Sequence, residues 1–514
     1  MKHWILGAVF ATLLIACTVD EQDPAGFVIT NARVVDGSGG PSQSVNVRVV
    51  DDRIVAVGNF DPEETDEVLS ANGLVLAPGF IDTHSHHDGR IFELPDGLAV
   101  VNQGGTTVVV GNDGRQNFPL TEFFARLEAE PVAINFASYA GHGSIRSRVM
   151  QEDYMRHATP DELQRMVDLL EVEMQSGALG FSTGLEYDPG SFASTEELVR
   201  LATVARSYGG IYASHIRSED LYFWEAIHEA IGIGLEAKVP VRITHMKLAI
   251  SKFWGRADEL IDLLDTARAG GVDVTADIYP YGAWYAGFSW FKTLYPDRDL
   301  SNRAGADYIV NEMLAPDRIL IPVFTPDPSY NGMTLAEISG IRETDPVTTL
   351  MELLVLDDAA GGFSSGSETI AFAMREPDIE RIFQWPHTVM GTDGDASGAH
   401  PRGFSAFAKF LGHYVRDREV LSLEEGVRRI TSLPAEQVGI SGRGLIREGY
   451  YADLVLFDPE TIIDNATFED PHVIATGIES VWVNGKIIFD DGMTTANRPG
   501  RPIRRDGMEP TEAK

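Results

Sequence analysis

Two histidines spaced i, i+2 close a short apolar run in Pro78-Gly79-Phe80-Ile81-Asp82-Thr83-His84-Ser85-His86. On a strand, residues two apart share one face, so His84 and His86 deliver two imidazoles side by side at the strand's C-terminal end. That is a metal-ligand pair. Further polar residues follow later apolar runs: Asn112-Asp113-Gly114, His142 with Arg146, Glu186, His215, His245 with Lys247, and Asp393. Histidine nitrogens and carboxylate oxygens without sulfur suit Zn²⁺, Mn²⁺, Co²⁺ or Fe²⁺. Water bound to such an ion loses a proton near neutrality, so the chemistry expected is hydrolysis.

Something must bring these residues to one place. Apolar runs near Gly79–His84, Thr106–Gly111, Ala133–Ala140, Ala178–Thr183, Gly210–His215, Val241–His245, Val272–Ile278 and Thr388–Thr392 alternate with helical patterns such as Pro160–Gln175 and Ala257–Ala269. Strands alternating with helices call for a parallel sheet. Eight such units predict an α/β fold, a (β/α)8 TIM barrel over residues 78–436, with the site at the strands' C-terminal ends. Short strands separated by Gly, Pro, Ser and Asn turns fill residues 18–77, and strand patterns return over 437–496. Neither piece is large enough to fold alone, so the two ends are expected to join in one small β-sandwich. Residues 283–346 interrupt the last barrel unit and carry Trp284, Tyr285, Phe288, Trp290 and Phe291. A long aromatic insertion there predicts a lid over the site. Residues 497–514 read as a disordered polar tail.

The chain has 514 residues, 44% of them apolar, and 77 acidic against 41 basic residues give a net charge of −36. The composition excludes general disorder, and the charge excludes electrostatic adhesion to nucleic acid or anionic lipid. Residues 1–17 read as a signal peptide: Met1-Lys2-His3, an apolar run, then Leu14-Ile15-Ala16-Cys17, a bacterial lipobox. The expectation is an exported lipoprotein with Cys17 lipidated, anchored in the outer membrane and facing the periplasm, with no other membrane contact. Cys17 is the only cysteine, so the mature chain has no thiol ligand.

The passages Pro78–Asp88, Gly104–Gly114, Gly141-His142-Gly143, Gly177–Gly190, Ser214-His215-Ile216-Arg217, Thr244-His245-Met246-Lys247, Tyr279-Pro280-Tyr281, Gly391-Thr392-Asp393-Gly394 and His400-Pro401-Arg402 resemble the metal-dependent amidohydrolases, and specifically the N-acyl-D-amino-acid deacylase (D-aminoacylase) family. The resemblance implies one or two divalent ions, most simply zinc, and hydrolysis of the amide of N-acyl-amino acids of D configuration. It also implies that Tyr187, Lys247, Tyr281 and Arg402 line the substrate site. One departure bears on the metals. The family ends its second strand in Asn-Cys-Gly, with the cysteine a ligand, whereas this chain has Asp113. Elsewhere in the superfamily the fourth strand supplies a bridging carboxylate or carboxylated lysine, which points to Glu186. The expected centre has Glu186 as the bridge, His84, His86 and Asp393 on one ion and His215 and His245 on the other, with Asp113 as the alternative bridge.

Asp393 is then the expected proton acceptor and donor, and His142 the expected stabiliser of the oxyanion. The aromatic lid favours an apolar acyl group or side chain over an acidic one. A dipeptidase, or a cyclic-amide hydrolase of the hydantoinase or dihydroorotase kind, uses the same centre and remains an alternative. A non-enzymatic solute-binding lipoprotein is a third reading, although it has no need of both histidine pairs and Asp393. Gly180-Phe181-Ser182-Thr183-Gly184 matches a serine-hydrolase pattern, but Ser182 lies within an apolar strand rather than on the sharp turn that chemistry requires.

Overall fold

The computed structural model describes Met1, residues 26–294 and residues 303–505. The proposed signal segment, Cys17 and the last nine residues of the tail lie outside the described residues.

Eight parallel strands stand at the eight expected places: β1 (Phe80–Asp82), β2 (Gly105–Val110), β3 (Asn135–Ser138), β4 (Gly180–Gly184), β5 (Ile211–His215), β6 (Val241–Ile243), β7 (Val274–Ile278) and β8 (Thr388–Met390). β1, β2 and β3 pair in order, and β4 to β8 pair in order. Tyr139 interrupts β3, and the continuing pair Ala140–Gly141 hydrogen-bonds to β4. At the other margin, Asp393 N donates to His84 O at 2.8 Å and His86 N to Gly394 O at 2.8 Å, so the segment after β8 meets the segment after β1. These strands are buried on both faces, which explains their near-continuous apolar sequence. Ile81, Val109, Ala137, Leu179, Ile211 and Ala213 share one cluster, while Phe80, Val108, Val110 and Phe136 belong to the main core.

The chain ends do combine. Val75–Pro78 runs antiparallel to Leu454–Phe457, which unites N-terminal and C-terminal strands in a single nine-stranded sheet among the described residues. Ile29, Val47, Ile54, Leu76, Leu454 and Trp482 give it an apolar core of its own. Two expectations change. The tail is ordered up to Arg505: Gly500 N bonds Val132 O at 2.9 Å and Ile503 N bonds Phe136 O at 2.7 Å, so the tail covers backbone next to β3. The insertion is also longer than 283–346 and has its own sheet. Trp284–Gly287 pairs with Glu368–Ala371, which pairs with Ile319–Val323, around Phe288, Ile321, Phe324 and Leu335.

Candidate metal centre and substrate cavity

The strand ends put the polar residues at one mouth, and the backbone there is unusual. Asp113, His245 and Asp393 have φ of 53°, 34° and 48°, left-handed values that a side chain tolerates only where the surroundings hold it. The close approach of β8 to β1 needs a glycine: a Cβ on Gly391 would lie 2.9 Å from the Cβ of His84.

Three histidines share one arrangement, with one ring nitrogen against a carboxylate and the other turned toward Asp113. His84 Nδ1 donates to Asp277 Oδ1 at 3.1 Å, while its Nε2 is buried with no hydrogen-bond partner. His215 Nε2 donates to Glu186 Oε2 at 3.1 Å. His245 Nδ1 lies 2.9 Å from Glu219 Oε1. A carboxylate on one nitrogen fixes the tautomer and orients the other nitrogen's lone pair, which is how metal-binding imidazoles are held. The inward nitrogens of His215 and His245 are 2.8 Å apart.

Asp113 occupies the centre of this arrangement. Its Oδ2 lies 3.5 Å from His84 Nε2 and 3.3 Å from His86 Nε2, and its Oδ1 lies 3.6 Å from His245 Nε2. Ligand atoms converge in two groups that share it: His84, His86, Asp113 and Asp393, and Asp113, His215 and His245. Glu186 joins a third such group, with His215 and Glu219, so the two groups that meet at Asp113 favour the alternative bridge. Glu186 sits behind His215, away from the first group, and its Oε1 accepts from Glu219 N at 3.2 Å. The donor set is all nitrogen and oxygen and includes orphaned buried atoms, His84 Nε2 and Asp113 Oδ1. It fits two divalent cations bridged by one carboxylate.

Charge supports that fit. Burial pushes the Asp113 carboxyl up, but His84, His245 and His86 outweigh it and hold it well below the usual carboxylate range. Burial lowers the His86 imidazole, but Asp113 and Asp393 lift it to about 10. Without a cation, a proton on His86 helps to balance the carboxylates, so metal binding there must release it and strengthens as pH rises.

The substrate residues divide. Tyr187 donates its hydroxyl to His215 Nδ1 at 2.8 Å and stacks on Trp290 of the insertion, ring centroids 4.0 Å apart. Lys247 Nζ bonds Glu219 Oε1 at 2.6 Å, and Arg402 pairs with Asp393 Oδ2 at 2.8 Å. All three line the cavity. Tyr281 does not: it packs against His400 and Phe468. Tyr279 takes its place, buried between Lys247 and Arg402. His142 is also misplaced for the oxyanion role. It is fully buried, with Nε2 2.8 Å from Glu197 Oε1 and its ring against Phe181, and it lines neither lobe of the cavity. Asp277 and Glu219 carry no signal in the sequence pattern, whereas Tyr279 is the first residue of the Tyr279-Pro280-Tyr281 passage, from which Tyr281 was expected at the site.

The cavity has two lobes, both reaching Asp393 and Arg402. The inner one is narrow and runs past His215, His245, Lys247 and Tyr279. The outer one is roomier and opens past His86, Asp113, Tyr154, Tyr285 and Phe363. The insertion contributes Tyr285, Trp290 and Thr293 to the lining of both.

The sequence pattern of the amidohydrolase family matches residues 67–278 and 377–489, leaving out the stretch that contains the insertion. D-aminoacylase of Alcaligenes xylosoxydans xylosoxydans is 34% identical over 510 residues, covering 94% of this chain and 99% of the relative. N-acyl-D-glutamate deacylase of the same organism is 36% identical, covering 94% and 98%. A crystal structure of N-acyl-D-glutamate deacylase from Bordetella bronchiseptica, complexed with zinc and a phosphonate that mimics the reaction's tetrahedral intermediate, matches with a TM-score of 0.83 at 34% identity, covering 94% of this chain and all of that one. By sequence and by structure, the chain belongs to the amidohydrolase family, among the N-acyl-D-amino-acid deacylases.

Proposed function

We propose that this protein hydrolyses the amide bond of N-acyl-D-amino acids with one or two divalent ions, zinc above all, which His84, His86, Asp113 and Asp393 would hold on one side and Asp113, His215 and His245 on the other. The observation that carries the reading is the pair of ligand groups sharing Asp113 beside a buried Lys247, Tyr279 and Arg402. The eight parallel strands are read as a (β/α)8 barrel with the centre at its C-terminal mouth, and the sheet from the chain ends as a small β-sandwich beside it. The in-order parallel pairing of β1 to β3 and of β4 to β8 supports the first reading, and the pairing of Val75–Pro78 with Leu454–Phe457 the second.

When bound, the ions supply Lewis-acid polarisation of the scissile carbonyl and a water of lowered pKa. The chain does the rest. Asp393 accepts a proton from the attacking water and returns it to the leaving nitrogen, so the amine departs neutral. Asp277, Glu186 and Glu219 keep three imidazoles in one tautomer. Arg402 and the Tyr279 hydroxyl, beside Lys247, hold the α-carboxylate of the substrate and so fix its carbonyl at the ligand groups. The amino-acid half thus enters the inner lobe and the acyl group the roomier outer lobe.

The direct test is turnover by the zinc-loaded protein of paired N-acetyl-D- and N-acetyl-L-amino acids, dipeptides and hydantoins. Hydrolysis of the D partner alone is expected. Preference for hydantoins or for L substrates would move the activity to another branch of the family.

Amidation of the substrate carboxylate tests the anchor. A charge-assisted contact contributes about 1.5–3 kcal/mol, so about 10- to 150-fold in kcat/KM should be lost. Arg402→Ala also disturbs Asp393 and will slow both substrates. The informative quantity is therefore the ratio between free and amidated substrate, which should fall toward one in the variant. A wild-type ratio of one would remove the carboxylate anchor.

A further inference from the structure

Similarity to relatives does not separate neutral from acidic substrates, since a D-aminoacylase and an N-acyl-D-glutamate deacylase match this chain about equally. The inner lobe does. We propose that the chain deacylates N-acyl-D-amino acids whose side chain is apolar and uncharged, and that Met313 and Leu294 of the insertion set this preference. The inference rests on the deacylase reading of the same cavity.

The lobe's lining is of two kinds. In one, the two cations already face carboxylates, Lys247 against Glu219 at 2.6 Å and Arg402 against Asp393 at 2.8 Å, and Glu186 adds a further carboxylate. The rest of the lining includes a hydrocarbon set: Ala249, Trp284, Leu294 and Met313. Ala249 and Met313 are each only 2% exposed, so this set is a built surface rather than an open rim.

With the α-carboxylate held at Arg402 and Tyr279, both of which line the inner lobe, the side chain on the same carbon lies beside that lobe's lining. A second carboxylate there would face either hydrocarbon, where an unpaired charge is strongly disfavoured, or Glu186 and Glu219, where like charges repel. No further Lys or Arg lines the lobe among the described residues. A leucine or methionine side chain instead buries its surface against Met313 and Leu294.

The test compares kcat/KM of the zinc-loaded full chain on N-acetyl-D-leucine, N-acetyl-D-methionine, N-acetyl-D-glutamate and N-acetyl-D-aspartate. The neutral pair should exceed the acidic pair by about 100-fold or more. Met313→Arg, which places a cation in the lobe, should narrow that ratio by about tenfold or more. Because a buried arginine can unfold the insertion, Leu294→Arg at the half-buried edge is the second variant, with the melting temperature recorded for both. Equal or better wild-type turnover of N-acetyl-D-glutamate overturns the inference and leaves deacylation standing. Failure to turn over any of the four D substrates overturns deacylation and the inference together. A ratio unmoved in a folded variant removes that residue from the role.

Discussion

Replacing Asp113 with alanine is expected to empty both metal positions at once, whereas Glu186→Ala should weaken one. The two oxygens of Asp113 face different groups, Oδ2 toward His84 and His86 and Oδ1 toward His245. Its removal leaves two histidines and Asp393 on one side and two histidines on the other. It also takes away the anion that balances both cations. Elemental analysis of the purified protein should show less than one ion per chain in Asp113→Ala after dialysis. Activity should fall by about 10³-fold or more, since the ions contribute several kcal/mol to the transition state. Glu186 acts through the His215 ring, and losing such an orienting partner costs about 10- to 100-fold in metal affinity. Metal loss that is greater in Glu186→Ala than in Asp113→Ala would restore Glu186 as the bridge.

Asp113→Cys sharpens the point. A thiolate is a single-atom bridge of the same charge, so this variant should recover metal content that the alanine variant lacks. The same substitution restores the Asn-Cys-Gly pattern that the sequence departs from.

What the sequence could and could not disclose follows from which physical rule decides each position. His84 and His86 were legible because a strand's two-residue period leaves no choice of face. The strands were legible for a related reason: strands covered on both faces must be apolar throughout, and each run ends where its polar ligand begins. Asp113 was harder. Its carboxylate turns inward only because its backbone takes a φ of 53°, and nothing but the adjacent Asn112 and Gly114 hinted at a turn. Glu186 was a reasonable bridge by position, since the chain does carry it to the mouth. However, it reaches the outer nitrogen of His215 rather than the inner one.

His142 shows the opposite failure. It stands at a strand end like the true ligands, but it begins the helix His142–Met150 and its ring meets Glu197, 55 residues further on. A partner that distant leaves no local pattern. Asp277 and Glu219 were invisible for the same reason, since their value lies in a contact with a ring and not in their spacing. The ordered tail was misread because its polar composition is that of disorder. It is held instead by backbone hydrogen bonds from Gly500 and Ile503 and by side-chain bonds from Arg501, Arg504 and Arg505 to residues far away in the sequence.

Asp393→Asn should abolish most turnover while leaving metal in place. Oδ1 of Asp393 lies 3.4 Å from His84 Nε2 and 3.2 Å from His86 Nε2, while its Oδ2 is held by Arg402. An asparagine keeps an oxygen for the ligand group, and Asp113, His84 and His86 remain, so metal content should stay close to that of the wild type. It cannot take up a proton. The loss expected for removing a general acid and base is about 10²–10⁴-fold in kcat, with KM little changed because Arg402, Lys247 and Tyr279 still hold the carboxylate. A further sign separates proton transfer from simple disturbance of the site. Substrates with a better leaving amine need less help from an acid, so the variant's deficit should shrink for an N-acyl anilide relative to an N-acyl-D-amino acid. Near-normal kcat in a metal-replete Asp393→Asn protein would exclude this carboxylate as the base. A deficit that tracks metal loss instead would make it a ligand alone.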